Sequence, residues 1–357
     1  MIETHLVNAL LKPSLREGFF FAVLNFVNGL VAPSFLFCAG FAFAITLSRR
    51  WEAYTHFRPP LWRYVVRLAL ILAVGYALHL PFFSLSRMRE LNDLQSWASF
   101  YQADILHVIS ISIGLLLVVS LAMRRRELSI YIAAVLAFIM VFVSPVVRGA
   151  DYSWLPIWLR PYLTSKVPSV FPMFPWSAFL LFGAFIGYRY LTAHETNEER
   201  PFMFRLPGVA LIGILAALFF NFAPITLYSR YDFWGPSPEF FFVRLGLVAL
   251  FLAGFWWLGR FHRASPKSVA IVFGQESLLV YVAHLLIVYG QDYDWSLARK
   301  YGTSLNYLEC LGIFLLLAAG MFIVAYSWHR LKAWNKRAAG IVQFAVLSAL
   351  VLRFVTR

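Results

Sequence analysis

A chain of 357 residues that is 61% hydrophobic and 18% aromatic but only 13% charged cannot cover its own core in water, where soluble domains carry roughly 25% charged residues. Its formal net charge of +14 does not point to nucleic acid, because the bases sit in short hydrophilic breaks between apolar runs and no nucleic-acid motif accompanies them. Lipid is the solvent that suits this composition. The sequence therefore predicts an all-α polytopic membrane helix bundle whose first partner is the bilayer.

The chain opens on residues 1–11, apolar but only about 16 Å long as a helix. They lack the basic start and cleavage site of a signal peptide. The charge pattern below places residues 12–18 outside, so residues 1–11 read as the outer half of a first span whose inner half is missing. A misassigned start codon or a truncation would account for that.

Spanning the hydrocarbon layer takes about 20 apolar residues. Such runs follow at 27–47, 64–83, 103–123, 128–146, 171–190, 206–223, 240–258, 269–289, 308–327 and 339–354. The expectation is about ten full spans plus the N-terminal half-span. No internal repeat or low-complexity linker divides the chain, so residues 1–357 are expected to form a single domain.

Lysine and arginine set the orientation. Alternate breaks hold Arg49, Arg50, Arg58, Arg63 and Arg67; Arg124, Arg125 and Arg126; Arg189, Arg200 and Arg205; Arg260, Arg263 and Lys267; and Arg330, Lys332, Lys336 and Arg337. The opposite breaks hold Glu90, Asp93, Asp151, Asp232, Glu239, Asp292 and Asp294. By the positive-inside rule the first set is cytoplasmic. The outward breaks at 84–102, 147–170 and 224–239 are long enough to be candidates for a lid.

Cys38 and Cys310 lie within or beside apolar runs and suit neither a disulfide framework nor a zinc site. No metal is expected. Ionisable groups in or near spans are the functional suspects, because burying them is costly unless they are paired. They are Glu3, His5, His79, Asp104, His107, Arg244, Glu276, His284 and Glu309. The orientation puts His5, His79, Asp104, His107, Arg244 and Glu309 in the outer half of the membrane.

Three stretches combine polar residues with helix-shaping ones. Asn25 to Gly40 carries Asn28, Pro33 and Gly40 on a span. Phe171-Pro-Met-Phe-Pro-Trp176 precedes Gly183 and Gly187, a helix start with a small-residue packing face beyond it. Gly274 to His284 places Ser277, Tyr281 and His284 along one helix face.

Taken in order, these marks resemble the transmembrane acyltransferases that include heparan-α-glucosaminide N-acetyltransferase, within the wider superfamily holding the family-3 acyltransferases. The matching segments are Met-Ile-Glu-Thr-His at 1–5, Ala-Pro-Ser-Phe-Leu-Phe-Cys-Ala-Gly at 32–40, Ala-Asp-Ile-Leu-His-Val-Ile at 103–109, Phe-Pro-Met-Phe-Pro-Trp at 171–176 and Ser-Leu-Leu-Val-Tyr-Val-Ala-His at 277–284. The resemblance runs from Met1 to about Tyr289.

The resemblance implies transfer of an acyl group, with acetyl expected, from cytoplasmic acyl-CoA to an extracytoplasmic acceptor such as a sugar. It also implies a multi-pass protein of the bacterial inner membrane. His5 occupies the polar mark of the family's first span and is the expected base or acceptor-positioning group, since a neutral imidazole takes a proton near pH 7. Asp104 and His107, three residues apart on one helix face, either form an outer polar site or cap their helix. His284 is expected to line the tunnel, with Tyr281 beside it. Asn28, Trp176, Arg244 and Tyr281 are candidates for substrate contact. Arg244 either reaches the interface or pairs with Asp104 or Glu309. Arg49, Arg50, Arg58 and Arg63 are candidates for the CoA phosphates, although positive-inside topology alone places bases there.

Direct transfer and an acyl-histidine intermediate both fit these residue types. A homo-oligomer is compatible with the sequence. A transporter or flippase for a lipid or sugar uses the same side chains, and an inactive membrane scaffold is a third reading.

Overall fold

The computed structural model describes residues 1–93, 97–223, 228, 232–261, 268–290 and 296–356. Arg263, Lys267, Asp292 and Asp294 of the charge pattern lie outside the described residues, as do parts of two outward breaks. The longer helices are α1 (Ile2–Leu10), α2 (Gly18–Asn28), α3 (Val31–Arg49), α4 (Pro59–Leu78), α5 (Ile105–Met123), α6 (Arg126–Gly149), α7 (Met173–Glu195), α8 (Glu199–Phe222), α9 (Pro238–Phe261), α10 (Val269–Gln275), α11 (Ser277–Tyr289), α12 (Tyr307–Trp334) and α13 (Lys336–Thr356).

Among the described residues, eight helical stretches are long and apolar enough to cross a membrane. The pair α10 and α11, bent by 83° at Glu276, makes nine if counted as one span. The remaining expected run, 171–190, forms α7, which is 23 residues long. It misses that hydropathy because prolines, Trp176, Ser177, Arg189 and two glycines interrupt it. Those residues are tolerated because α3, α5, α6 and α8 surround it, so protein rather than lipid is its solvent.

The helices fall into two compact units. One comprises Leu30–His79 and Leu94–Phe261 and is built around α7. There α3 approaches α7 backbone to backbone. A Cβ at Gly40 would overlap the Leu180 carbonyl, and one at Gly183 the Phe37 carbonyl. This is the small-residue packing by which membrane helices gain van der Waals contact, since burial of apolar surface from lipid drives nothing. The Ser112 hydroxyl donates to Ser177 at 2.7 Å across the buried α5–α7 contact. Lipid-facing α8 leaves Val209, Ile212, Leu215 and Phe219 exposed.

The other unit comprises Met1–Gly29, Leu80–Asp93 and His262–Arg357. Here α1 buries Leu6, Val7 and Leu10 against α11 and α12. Its C-terminus is pinned twice. Leu305 N–H donates to Leu10 O, and Lys12 N–H to Leu305 O, each at 2.9 Å. The Arg16 guanidinium donates to Asn8 O at 3.0 Å and Leu11 O at 2.9 Å, a cation closing the carbonyl end of a helix. A nine-residue helix is marginal alone; these contacts fix it, and with it His5.

Candidate functional site

Two polar clusters emerge, one in each unit. In the unit holding α1, His5 faces α11. The His5 and His284 ring centroids are 5.3 Å apart at 48°, and Tyr289 meets His5 edge-on at 5.6 Å. Tyr281 meets His284 edge-on at 5.7 Å. The Tyr289 hydroxyl donates to the His5 carbonyl at 3.0 Å, tying α11 to α1. Asn28, the last residue of α2, donates its amide to Glu3 at 3.3 Å.

The tautomer of His284 follows from its partner. Nδ1 lies 2.6 Å from the Val280 carbonyl, an atom that only accepts, so Nδ1 carries the proton. The neutral ring then has a bare lone pair on Nε2. That atom is buried and has no hydrogen-bond partner, and the residue is 1% exposed. A neutral imidazole with an unspent lone pair can act as a general base or nucleophile on a group brought within hydrogen-bond reach.

The second cluster gathers at the start of α5. Asp104 is the N-cap, and His107 closes a capping box in which the Asp104 N–H donates to His107 Nδ1 at 3.1 Å. Capping is thus what both side chains do in the structure. His107 has the opposite tautomer to His284: Nδ1 accepts, so neutral His107 carries its proton on Nε2, buried and without a partner. Its ring lies edge-on to Tyr76 at 4.3 Å, and a Cβ at Gly75 would meet its Cε1 at 2.9 Å. The Tyr76 and Tyr162 hydroxyls are 2.7 Å apart. Burial raises the pKa of Tyr162, holding it as the neutral phenol.

Asp104 Oδ1 accepts from the Ile105 N–H, and Oδ2 faces His79, with Nε2 at 3.6 Å. His79 is therefore the imidazole nearest this carboxylate among the pairs described, although Nε2 makes no hydrogen bond to it. The sequence marks His79 as ionisable but gives it no partner. The usable signal is position, since His79 ends α4 three residues after Tyr76, whose ring covers His107.

Trp176 and Arg244 also come together. The Arg244 guanidinium carbon lies 3.7 Å from the Phe240 ring centroid and 5.8 Å from that of Trp176. Arg244 forms no ion pair among the described residues, with Asp104, Glu309 or any other acid; Glu309 instead caps α12 with Asn306. Arg49, Arg50, Arg58 and Arg63 are all exposed around the turn from α3 to α4. Among the described residues no cluster of three or more His, Cys, Asp or Glu could hold a metal ion.

The family model of the heparan-alpha-glucosaminide N-acetyltransferase catalytic region matches residues 1–223. The chain belongs to this family. The match covers α1 to α8, and so His5, His79, Asp104, His107 and Trp176, whereas Arg244, Tyr281 and His284 lie beyond it. Membership makes the chain a multi-pass membrane protein of acetyltransferase type. Neither a curated protein nor a solved structure matches it.

Proposed function

We propose that the protein moves an acetyl group from cytoplasmic acetyl-CoA to an extracytoplasmic acceptor such as a sugar, and that His5 and His284 carry the proton transfers. The observation supporting this is the bare, buried Nε2 of His284 beside the His5 ring. In direct transfer, the acceptor's nitrogen or oxygen bonds to the acetyl carbonyl carbon. The C–S bond breaks, CoA leaves as the thiolate, and the acceptor's proton passes to an imidazole nitrogen. Tyr281, in edge contact with His284, is assigned to the substrate, and Asn28 to the same role through its place beside Glu3.

Within their own unit, Asp104 and His107 are assigned an outer polar site that includes His79. The four exposed arginines, Arg49, Arg50, Arg58 and Arg63, are assigned the CoA phosphates, which suit planar bidentate donors. The inner membrane of a bacterium is the proposed location.

The test is release of CoA by purified protein from acetyl-CoA with a panel of amino- and hydroxy-sugars. His5→Ala is expected to abolish release while the protein still inserts. No release by the wild type with any acceptor would defeat the proposal, and full release by His5→Ala would remove that residue from the chemistry.

A transporter or flippase remains the second reading, because broken helices such as α10–α11 line transport sites. Transporter sites usually come as matched pairs of broken spans, and the described residues contain one. Uptake of a sugar into sealed vesicles without acyl-CoA would favour this reading.

A further inference from the structure

We propose that the cavity between Arg148 and Arg244 binds a single oxyanion, the phosphate or carboxylate group of a ligand. This gives a chemical class to the substrate contact for which Arg244 and Trp176 are candidates in the sequence, and it does not depend on acetyl transfer.

The two arginines sit on α6 and α9, which pack in the same unit. Arg244 has aromatic faces above and beside it but no hydrogen bond or ion pair among the described residues. Its five N–H donors therefore have no acceptor among the described residues. Arg148 gives Nη2 to the Ser165 hydroxyl at 2.8 Å, while its Nε is buried without a partner. Two guanidiniums with unspent donors thus border one cavity.

Neither nearby acid is ion-paired with the two arginines among the described residues, although Asp232 Oδ2 lies beside Gly235 of the cavity wall. Asp232 acts on Arg148 electrostatically, but it is exposed and one of its oxygens accepts from the Trp234 N–H at 3.1 Å. Glu239 keeps Oε2 buried without a hydrogen bond and forms no ion pair with either arginine among the described residues. An isolated cation in a span is costly and is normally paired or functional.

The rest of the wall supports an anion over water alone. Trp176, Phe179, Phe240 and Phe241 line it, and apolar walls strengthen any charge–charge contact within. The volume, about 20 Å³, admits one water-sized group. That suits one oxygen of an anionic head, with the remainder of its ligand outside. The ligand is either a soluble anion or a lipid headgroup, and the chemistry at the cavity is the same.

The full chain in non-ionic detergent, without acetyl-CoA, would be titrated calorimetrically with inorganic phosphate and with glucuronate. A third arm would measure retention of phosphatidylglycerol by native mass spectrometry. Saturable binding is expected in at least one arm, weakened tenfold or more by Arg244→Gln and by Arg148→Gln. Arg244→Lys, which keeps the charge, is expected to retain part of it. Binding of phosphate or glucuronate identifies a soluble ligand; retention of phosphatidylglycerol alone identifies a headgroup. No saturable binding in any arm overturns the proposal, as does wild-type affinity in both glutamine variants. Monodisperse elution of each variant separates loss of binding from loss of fold. Because acetyl-CoA is absent throughout, failure here leaves the acetyl-transfer proposal standing or falling on its own assay.

Discussion

His284 donates its Nδ1 proton to the Val280 carbonyl one helical turn earlier, at 2.6 Å. That bond sets which nitrogen is free. Val280 O has no proton to return, so the neutral imidazole, whose ring lies beside His5, keeps only a lone pair on its other nitrogen. His107, in the other unit, accepts at Nδ1 and presents a donor instead. Histidines fixed in opposite tautomers suit opposite tasks, one taking a proton and one giving a hydrogen bond.

His284→Gln should remove the base without opening a large cavity. The expected loss in kcat is about 10²- to 10⁴-fold, the usual contribution of a positioned acid or base. The KM for acetyl-CoA should move little. A variant retaining more than a tenth of wild-type kcat would exclude His284 as the proton acceptor.

Tyr289→Phe tests how α1 is held. The change deletes the hydroxyl that binds the His5 carbonyl but keeps the ring that meets the His5 imidazole. A net loss of about 0.5–1.5 kcal/mol is expected for one such bond, with a small fall in rate. If unfolding in detergent is unchanged, the tie between α11 and α1 carries no energy.

Gly183→Val should be far more damaging than its size suggests. The added Cβ would overlap the Phe37 backbone, which cannot swing aside as a side chain can. Overpacking of this kind costs about 1–3 kcal/mol or more. Gly114→Ala on α5 is the control, since a Cβ there meets nothing within 4 Å. A thermal midpoint for Gly183→Val equal to that of the control would show that α3 and α7 do not need their close approach.

Much of this was legible before any coordinates. Apolar runs of membrane length announce spans because lipid leaves the backbone no other way to satisfy itself. Gly183 and Gly187 announced a packing face, and the Asp104-to-His107 spacing left a cap as one of two readings. The break between α10 and α11 was not legible. Apolar residues continue on both sides of it, so 269–289 reads as one span. What accompanies the bend is non-local: Glu276 meets His329 and Lys332, more than fifty residues away. The same limit hid His79 beside Asp104 and Glu3 beside Asn28, pairings made by tertiary packing. Likewise α7 carries enough polar residues to fall below the hydropathy of a span, because its neighbours are helices.

Glu276 gives the last prediction. It is 5% exposed and sits at the 83° bend, where its carboxylate accepts from Lys332 Nζ at 2.6 Å and lies 3.2 Å from His329 Nδ1. Glu276→Gln keeps the shape and removes the charge. Lys332 is partly exposed, so its freed ammonium is screened, and the expected cost is about 1–2 kcal/mol rather than that of a fully buried pair. Lys332→Met in the same chain should recover part of the loss, because no unpaired cation then remains. A double-mutant cycle in detergent measures that coupling. His284 lies eight residues along α11 from the bend, so acetyl transfer should fall in Glu276→Gln and return in the double variant along with stability. Additive losses would mean that the ion pair does not hold the bend, and that the angle between α10 and α11 is set by the packing of Val272 and Val280 on α12.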